Sequence, residues 1–483
     1  MTAGVRDDAG DMASASPVRP GPPPTPGRAP LRAVFSGPYL WTTITIMSGT
    51  VIGSMDSYIV NTSMPRVLGD LGEPQFYAWV ASAFILAQVV GLSVAGAWKD
   101  RSGLKTPFLI AVFAFGVGSL LCAIAPSMSL LVFARAFQGL AGGGLNALGF
   151  AAAAAYPEAI RLRMLSLISG VWGVIALGAP LLGGLITDTL GWRWIFLVNV
   201  PLCAAVMLLA WLALTPSGSP DSRRALPVIR AILLAIAVAG LTAAPSASRE
   251  VAVALLVVGL LAAVAFARQE RRAIVPVIPR QTWRGRGPVG SSLLASMFYV
   301  GAFTGAGVFL PLYLVQVRGE STTQAGLVLS VGGFMWTLGS VFAATRTGVW
   351  PKRLALIGAL LIAFAGISIA AQSAVGNLPL ALIYVTWGAA GCGVGLGILH
   401  LLNWALVYSP PSQSGAVSAA VQTMRMLGSA AGGALMGALL NAIGSDPGHL
   451  RLSITAIFSM AALLALWPAT FGRPKVPERL AAE

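Results

Sequence analysis

Gly53–Ser54–Met55–Asp56–Ser57–Tyr58–Ile59–Val60–Asn61–Thr62–Ser63–Met64–Pro65 closes an apolar run that begins near Tyr39. The run is long enough to cross a bilayer, which takes about 20 residues of helix. Asp56 therefore falls at hydrocarbon depth in the sequence, where an ionised carboxylate costs about 2.5–3.5 kcal/mol on insertion scales. A charge kept in such a place pairs with another group or lines a watery cavity. Burial disfavours the charged form of a carboxyl group, so an acid at this position is a candidate for taking up and releasing a proton. The alternative is a carboxylate that only ties neighbouring helices together.

The rest of the chain has the same solvent. Of 483 residues, 56% are hydrophobic and only 10% charged, against about 25% charged in a soluble globular protein. The expected class is an all-α polytopic membrane protein with the lipid bilayer as its medium. The formal charge of +15 does not mark a nucleic-acid partner. Its Arg and Lys residues sit in short connectors and accompany no zinc-finger or recognition-helix pattern. Cys122, Cys203 and Cys392 lie singly in apolar segments, without disulfide or metal-ligand spacing. No metal or other cofactor is expected.

On the 20-residue yardstick, spans fall near 39–64, 76–98, 107–125, 128–153, 163–187 and 194–215. Two more fall near 228–244 and 251–267, and six near 289–315, 323–345, 354–372, 378–407, 415–443 and 453–471. That pattern of six, two and six divides the chain. Residues 1–35, acidic and then rich in Pro and Gly, are expected to be a disordered tail. Residues 36–215 form an N-terminal six-helix bundle, and 216–288 a linker with two extra transmembrane helices. Residues 289–472 form a C-terminal six-helix bundle and 473–483 a second tail. The first span is expected to serve as an uncleaved insertion signal. Basic residues concentrate in cytoplasmic loops. With the N-terminus inside, twenty-four Arg and Lys residues face the cytoplasm and five (Arg66, Arg193, Arg249, Arg318 and Arg451) face outward. Arg135 and Arg425 remain within spans. Both termini are therefore expected to be cytoplasmic.

The two six-span blocks resemble one another. Arg101–Ser102–Gly103 recurs as Arg346–Thr347–Gly348, 245 residues on. Gly139, Gly142 and Gly144 recur as Gly388, Gly391 and Gly393, and Gly183–Gly184 as Gly432–Gly433, each 249 residues on. Repeats about a central site are a common transporter architecture.

Specific motifs narrow the class. Gly96–Ala97–Trp98–Lys99–Asp100–Arg101–Ser102–Gly103–Leu104–Lys105, between the second and third spans, resembles the G-x-x-x-D-R-x-G-x-[RK] signature of the major facilitator superfamily. The resemblance implies a cytoplasmic gate built from Gly96, Asp100, Arg101, Gly103 and Lys105, with Asp100 pairing basic residues and a helix N-terminus. A tight polar turn is the plainer use of the same residues. The second-half copy has Thr345 in place of the acid. Arg135–Ala136–Phe137–Gln138–Gly139 is similar to the family's R-x-x-Q-G motif, which is associated with proton coupling. An intramembrane guanidinium needs a partner: Asp56 in one state, or backbone carbonyls. Gly178–Ala179–Pro180–Leu181–Leu182–Gly183–Gly184 looks like the antiporter motif of exporters, through Gly178, Pro180, Gly183 and Gly184, with Ala179 where glycine commonly precedes the proline. Trp192–Arg193–Trp194 through Pro201 is similar to a motif of drug:proton antiporters, and the run from Met55 to Pro65 and Gln422–Thr423–Met424–Arg425–Met426–Leu427–Gly428 are each similar to motifs of their branch with fourteen spans. Tyr58 replaces a common Thr in the second of these.

The resemblance implies a major facilitator fold, two six-helix bundles plus two inserted central helices. It also implies proton-driven export of an amphiphilic small molecule across the plasma membrane. Export of a lipid or secondary metabolite is the alternative. Candidate wall residues of a central cavity are Gln88, Asn146, Trp172, Tyr299, Trp336, His400 and Asn403, each polar or aromatic within a span; any of them also suits plain helix packing. An enzyme is not expected, since His400 and His449 form no H-E-x-x-H site and no G-x-S-x-G elbow occurs. A P-loop lysine is likewise missing.

Overall fold

The computed structural model describes residues 34–35, 37–153, 156–215, 228–243, 249–272, 288–346, 350–376, 378–409, 414–446 and 448–471. The remaining residues, which include most of the expected N-terminal tail and all of the C-terminal one, lie outside that description. In a bilayer every backbone N–H and C=O must be satisfied internally, and every long element here is a helix. In chain order these are α1 (Leu40–Leu71), α2 (Tyr77–Ser102), α3 (Lys105–Ala123), α4 (Met128–Ala153) and α5 (Glu158–Thr189). A short α6 (Trp194–Leu197) leads into α7 (Asn199–Ala213). Then come α8 (Val228–Ala243), α9 (Arg249–Arg272), α10 (Pro288–Leu312), α11 (Thr322–Ala344), α12 (Trp350–Val375), α13 (Leu380–Val407), α14 (Ser414–Ile443) and α15 (Leu450–Phe471).

Among the described residues, eleven helical segments are long and apolar enough to cross a membrane. Val228–Gly240 and Leu450–Leu466 are shorter apolar stretches. α1 is outside both groups although it has 32 residues. Thr43, Thr45, Thr50, Ser54, Asp56, Thr62 and Ser63 are all buried along it, so its polarity faces protein rather than lipid.

Three details depart from the expectations. Val34, assigned to a disordered tail, is fully buried and its carbonyl accepts a hydrogen bond from the Thr43 hydroxyl at 2.9 Å. α1 does not stop at Pro65 but continues to Leu71. The span expected at 194–215 is broken after Leu197, the residue whose carbonyl Pro201, lacking an N–H, cannot engage.

The helices pack as two copies of one arrangement. In the first, α2 lies on α4, α3 on α4, α1 on α5 and α3 on α7. The second repeats this with α11 on α13, α12 on α13, α10 on α14 and α12 on α15. Glycines set the closest crossings, because without side chains two helix backbones can approach. A Cβ at Gly143 of α4 would stand 2.1 Å from the Gln88 carbonyl oxygen of α2, and one at Gly391 of α13 would stand 2.0 Å from that of Gly332 of α11. The copies meet through α5 with α11 and through α14 with α2, contacts that are themselves related by the repeat. α8 and α9 pack on each other, and α8 also touches α2 and α14.

The contacts between copies gather at the end of the bundle where α1 runs into α2, the end that the basic-residue count assigns outward. There Gly184 abuts the Thr322–Thr323 backbone, Gly326 the Pro180 carbonyl, and Gly437 the side chain of Ala78. Tyr77 donates to the Val308 carbonyl at 3.1 Å, and Asn441 to that of Gln75 at 3.3 Å. This end is closed.

Candidate functional site

Two neighbouring features make up the site: a buried charge network inside the first copy and a polar cavity between the copies.

Asp56 of α1 and Arg135 of α4 form an ion pair in which each side chain is 1% exposed. The Arg135 Nη1 donates to Asp56 Oδ2 and, at 2.6 Å, to Gln138 Oε1. Asp56 Oδ1 accepts from Gln138 Nε2 at 3.1 Å and from Asn199 Nδ2 of α7 at 3.0 Å. Gln138 Nε2 also donates to Ser119 of α3 at 2.8 Å. The guanidinium lies 3.9 Å from the centroid of the Phe84 ring, a cation–π contact that is strengthened by the lack of water. Side chains of α4 and α7 thus close on one carboxylate of α1, and α3 braces Gln138 from behind. Of the two partners open to Arg135 in the sequence, the carboxylate is the principal one; a single bond of 3.4 Å reaches the Val80 carbonyl. Gln138 and Asn199 fall inside the quoted motifs, but their bonds to Asp56 depend on helix rotation and were not readable from the sequence.

The cavity has a volume of about 160 Å³ and lies between α1, α2 and α5 on one side and α10, α11 and α14 on the other. From α1 it receives Ser54, Ser57, Tyr58 and Asn61; from α14 it receives Gln422, Arg425 and Ser429. Gln88, Trp172 and Trp336, named from sequence, stand in its walls. The other four candidates do not. Asn146 accepts from Ser54 at 3.1 Å inside the first copy. Tyr299 is buried, with the carbonyls of Ala355 and Gly393 at 3.0 and 3.1 Å from its hydroxyl. His400 is buried away from the cavity, where burial is paid for by no hydrogen bond to Nε2. Asn403 is exposed. A polar side chain within a span serves helix packing as readily as a cavity, and these four do the former or face outward. Asp56 is also absent from the wall: its neighbours in the chain line the cavity, while its carboxylate turns back into the first copy.

The motif residues take different positions. Gly103 ends α2 with φ +77°, a left-handed conformation that favours glycine, and its N–H donates to the Lys99 carbonyl at 2.9 Å. Lys105 donates to the Trp211 carbonyl at 2.7 Å and lies over the Trp211 ring at 4.8 Å. Arg101 is exposed. α2 runs through Gly96 and Asp100, but the surroundings of those two residues lie outside the described part. On α5, Gly183 packs against Ile59 and Gly184 against Thr322, whereas Gly178 faces open space. Gly178 belongs to a second, apolar groove of about 620 Å³ between α1 and α5, with Val51, Met55, Val174 and Leu182 in its wall.

Asp188, at the closed end of α5, was not among the candidates. Its Oδ2 accepts from the backbone N–H and the hydroxyl of Thr323 at 2.8 and 2.7 Å. An acid just past the outer end of a predicted span was the available signal, but its partner is 135 residues away.

A sequence profile of the Major Facilitator Superfamily matches residues 46–433. A probable multidrug-efflux transporter of Mycobacterium tuberculosis is 29% identical over 460 residues, 91% of this chain and 96% of that protein. Multidrug resistance protein 3 of Bacillus subtilis is 28% identical over 325 residues, 66% of this chain and 62% of that one. Among solved structures, a partially occluded, inward-open form of the xylose transporter XylE from Escherichia coli aligns with a TM-score of 0.59 at 15% identity. The alignment covers 90% of this chain and 99% of that one.

Proposed function

The chain belongs to the Major Facilitator Superfamily, and on that premise we propose that it is a proton-coupled antiporter that exports amphiphilic drugs or other small lipophilic compounds. It is an integral membrane transporter and not an enzyme. The relatives named as a probable multidrug-efflux transporter and as a multidrug resistance protein support the export reading. The observation that carries the coupling is the Asp56–Arg135 pair, sealed from water one helix face away from the central cavity.

In this reading the chain crosses the plasma membrane fourteen times, with α6 and α7 as one broken span and both termini in the cytoplasm. The six-helix bundles are 36–215 and 289–472, joined by 216–288. The closed end then faces outward, and the cavity awaits substrate from the inner side. Protonation of Asp56 removes its charge and releases Arg135 from its partner; the network relaxes, and α1 carries that change to Ser54, Ser57, Tyr58 and Asn61 in the cavity wall. The requirement is thermodynamic: proton and substrate must interact unequally with the inward- and outward-open states. The gate residues Gly96, Asp100, Arg101, Gly103 and Lys105 would close the inner side in the opposite state. Gly183 and Gly184 would serve as the small-residue surface on which α5 slides, and Gly178 and Pro180 as the place where it bends.

Transport into proteoliposomes under an imposed pH gradient tests the proposal. The parent should move a lipophilic dye against its gradient and the Asp56→Asn variant should not. Gradient-driven export that survives in that variant would remove Asp56 from the coupling role. Altered lipid export with unchanged dye export would replace drug by lipid as the cargo.

A further inference from the structure

The central cavity carries, among the described residues, one charged side chain, and it is a cation. Among the described residues lining it, Arg425 alone is charged. No carboxylate among the described residues lies within 4.0 Å of its guanidinium, and its side-chain hydrogen bond to Gln422 Oε1 is a long one, 3.4 Å from Nη1. Its Nε is enclosed with no hydrogen-bond partner. The ring of Trp336 lies 6.0 Å away, a marginal cation–π distance, and so does little to stabilise the charge.

The contrast with the first copy is direct. There the acid Asp56 has its own guanidinium and two amides, and none of its oxygen atoms faces the cavity. The buried acid of the first copy is neutralised within its network; the cation of the cavity has no such partner among the described residues. A guanidinium presents planar, paired donors that match a carboxylate, sulfonate or phosphate. The wall also offers the hydroxyls of Ser57, Tyr58 and Ser429 and the amide of Asn61 as donors. Trp172, Trp336, Ile85 and Val300 supply apolar surface beside them.

We propose that the substrate is an amphiphilic anion whose oxyanion group pairs with Arg425 in this cavity, its apolar body lying against the Trp172–Trp336 wall. A cavity of about 160 Å³ accommodates such a headgroup, while whole drug-sized ligands occupy roughly 300–1,000 Å³. This names a substrate class for the export reading above and rests on that reading only for the direction of transport.

Binding tests it independently of transport. The purified full-length protein is titrated with three dansyl-tagged long-chain probes that differ only in the head: a carboxylate, its primary amide and a trimethylammonium. The parent should bind the carboxylate at least 10-fold more tightly than the other two. Arg425→Gln should abolish that preference, Arg425→Lys should keep part of it, and Ser429→Asp, one helical turn away, should abolish it by supplying Arg425 with a carboxylate. The Ser429→Asp variant and the parent panel retain the test if Arg425→Gln misfolds. Equal or tighter binding of the ammonium probe by the parent overturns the proposal, as does a preference that both Arg425→Gln and Ser429→Asp leave intact. Displacement of the carboxylate probe by phosphatidylglycerol vesicles, but not phosphatidylcholine vesicles, would identify a lipid headgroup as the source of the anion; no displacement by either would identify a soluble amphiphile. Anion-selective binding without transport of any probe would leave this inference standing and remove the export reading instead.

Discussion

Asp188 at the end of α5 holds the first turn of α11 in place, accepting from both the backbone N–H and the hydroxyl of Thr323 at 2.8 and 2.7 Å. A carboxylate at a helix N-terminus is favoured by the unpaired N–H groups and the dipole there. Arg66 of α1 approaches its other oxygen at 3.8 Å, so three helices from both copies converge on one acid at the closed end. Hydrogen bonds to a charged group contribute about 1.5–3 kcal/mol when buried. Asp188 keeps part of its surface in water, so about 1.4 kcal/mol is the reasonable scale here. Asp188→Ala should therefore shift the equilibrium roughly 10-fold toward the state open at this end. The measurement is the alkylation rate of Asn61→Cys in the cavity by an impermeant reagent added from that side. An unchanged rate would mean that Asp188 does not hold the end shut.

The Asp56–Arg135 pair sets the second prediction. Removing one member of a buried pair leaves an uncompensated charge, at a cost of about 3–5 kcal/mol. Asp56→Ala and Arg135→Ala should each lower the amount of folded protein sharply. The double variant Asp56→Asn, Arg135→Gln should regain folded protein, as no charge is then stranded. If the pair couples the proton, that double variant should still bind its substrate and yet lose accumulation driven by a pH gradient. Folded protein is read by monodisperse elution in detergent and coupling by proteoliposome uptake; recovery of both would make the pair structural only.

How far the sequence revealed these features depended on the length scale of the signal. Span positions follow from 20-residue apolar runs, which the bilayer enforces, and the helices fall close to them. Of the glycines matched between the halves, Gly391 stands at a backbone crossing that tolerates little but glycine, whereas the nearest atoms to a Cβ at Gly142 belong to the Phe84, Gln88 and Phe115 side chains. Cavity residues proved harder. Gln88, Trp172 and Trp336 line it, but the Asn146 Oδ1 accepts from Ser54 and the Tyr299 hydroxyl bonds carbonyls of neighbouring helices. A usable signal was the spacing of Ser54, Ser57, Tyr58 and Asn61, and of Gln422, Arg425 and Ser429, each a polar stripe on one face of a helix. The direction in which Asp56 turns needed the structure, since adjacent residues on a helix point about 100° apart and only packing decides which face meets the cavity.

Glycines of equal rank in the sequence should behave unequally. A Cβ at Gly391 would stand 2.0 Å from the Gly332 carbonyl oxygen, whereas one at Gly178 meets nothing within 4 Å. Gly391→Ala must push α13 away from α11 and should destabilise the fold by about 3 kcal/mol, the upper end of ordinary overpacking. Gly178→Ala should leave the thermal midpoint within a degree or two of the parent, because in a helix alanine is favoured over glycine by up to about 1 kcal/mol. Thermal unfolding of both variants in detergent distinguishes them. Equal midpoints would show that the α11–α13 crossing is looser than its backbone distances.

The inserted hairpin offers the last test. Arg230 of α8 donates to Glu270 of α9 at 3.1 Å, with the Glu270 side chain fully enclosed and that of Arg230 19% exposed. Farther along the hairpin Gly240 and Gly259 bring the two helices into backbone contact. Leu234 of α8 then joins Val89 of α2 and Val421 of α14 in one apolar cluster, so the hairpin is fastened internally and rests on both copies. Glu270→Gln should cost about 2 kcal/mol, less than the 3–5 kcal/mol of a fully buried pair because water still reaches Arg230. Replacing both partners, with Arg230→Met and Glu270→Leu, removes both charges of this pair together and should bring the midpoint back toward the parental value, since well-packed apolar pairs often match buried ion pairs. If the hairpin only buttresses the α2–α14 side, this double variant should transport like the parent. Loss of transport at an unchanged midpoint would instead make the Arg230–Glu270 pair part of the moving machinery.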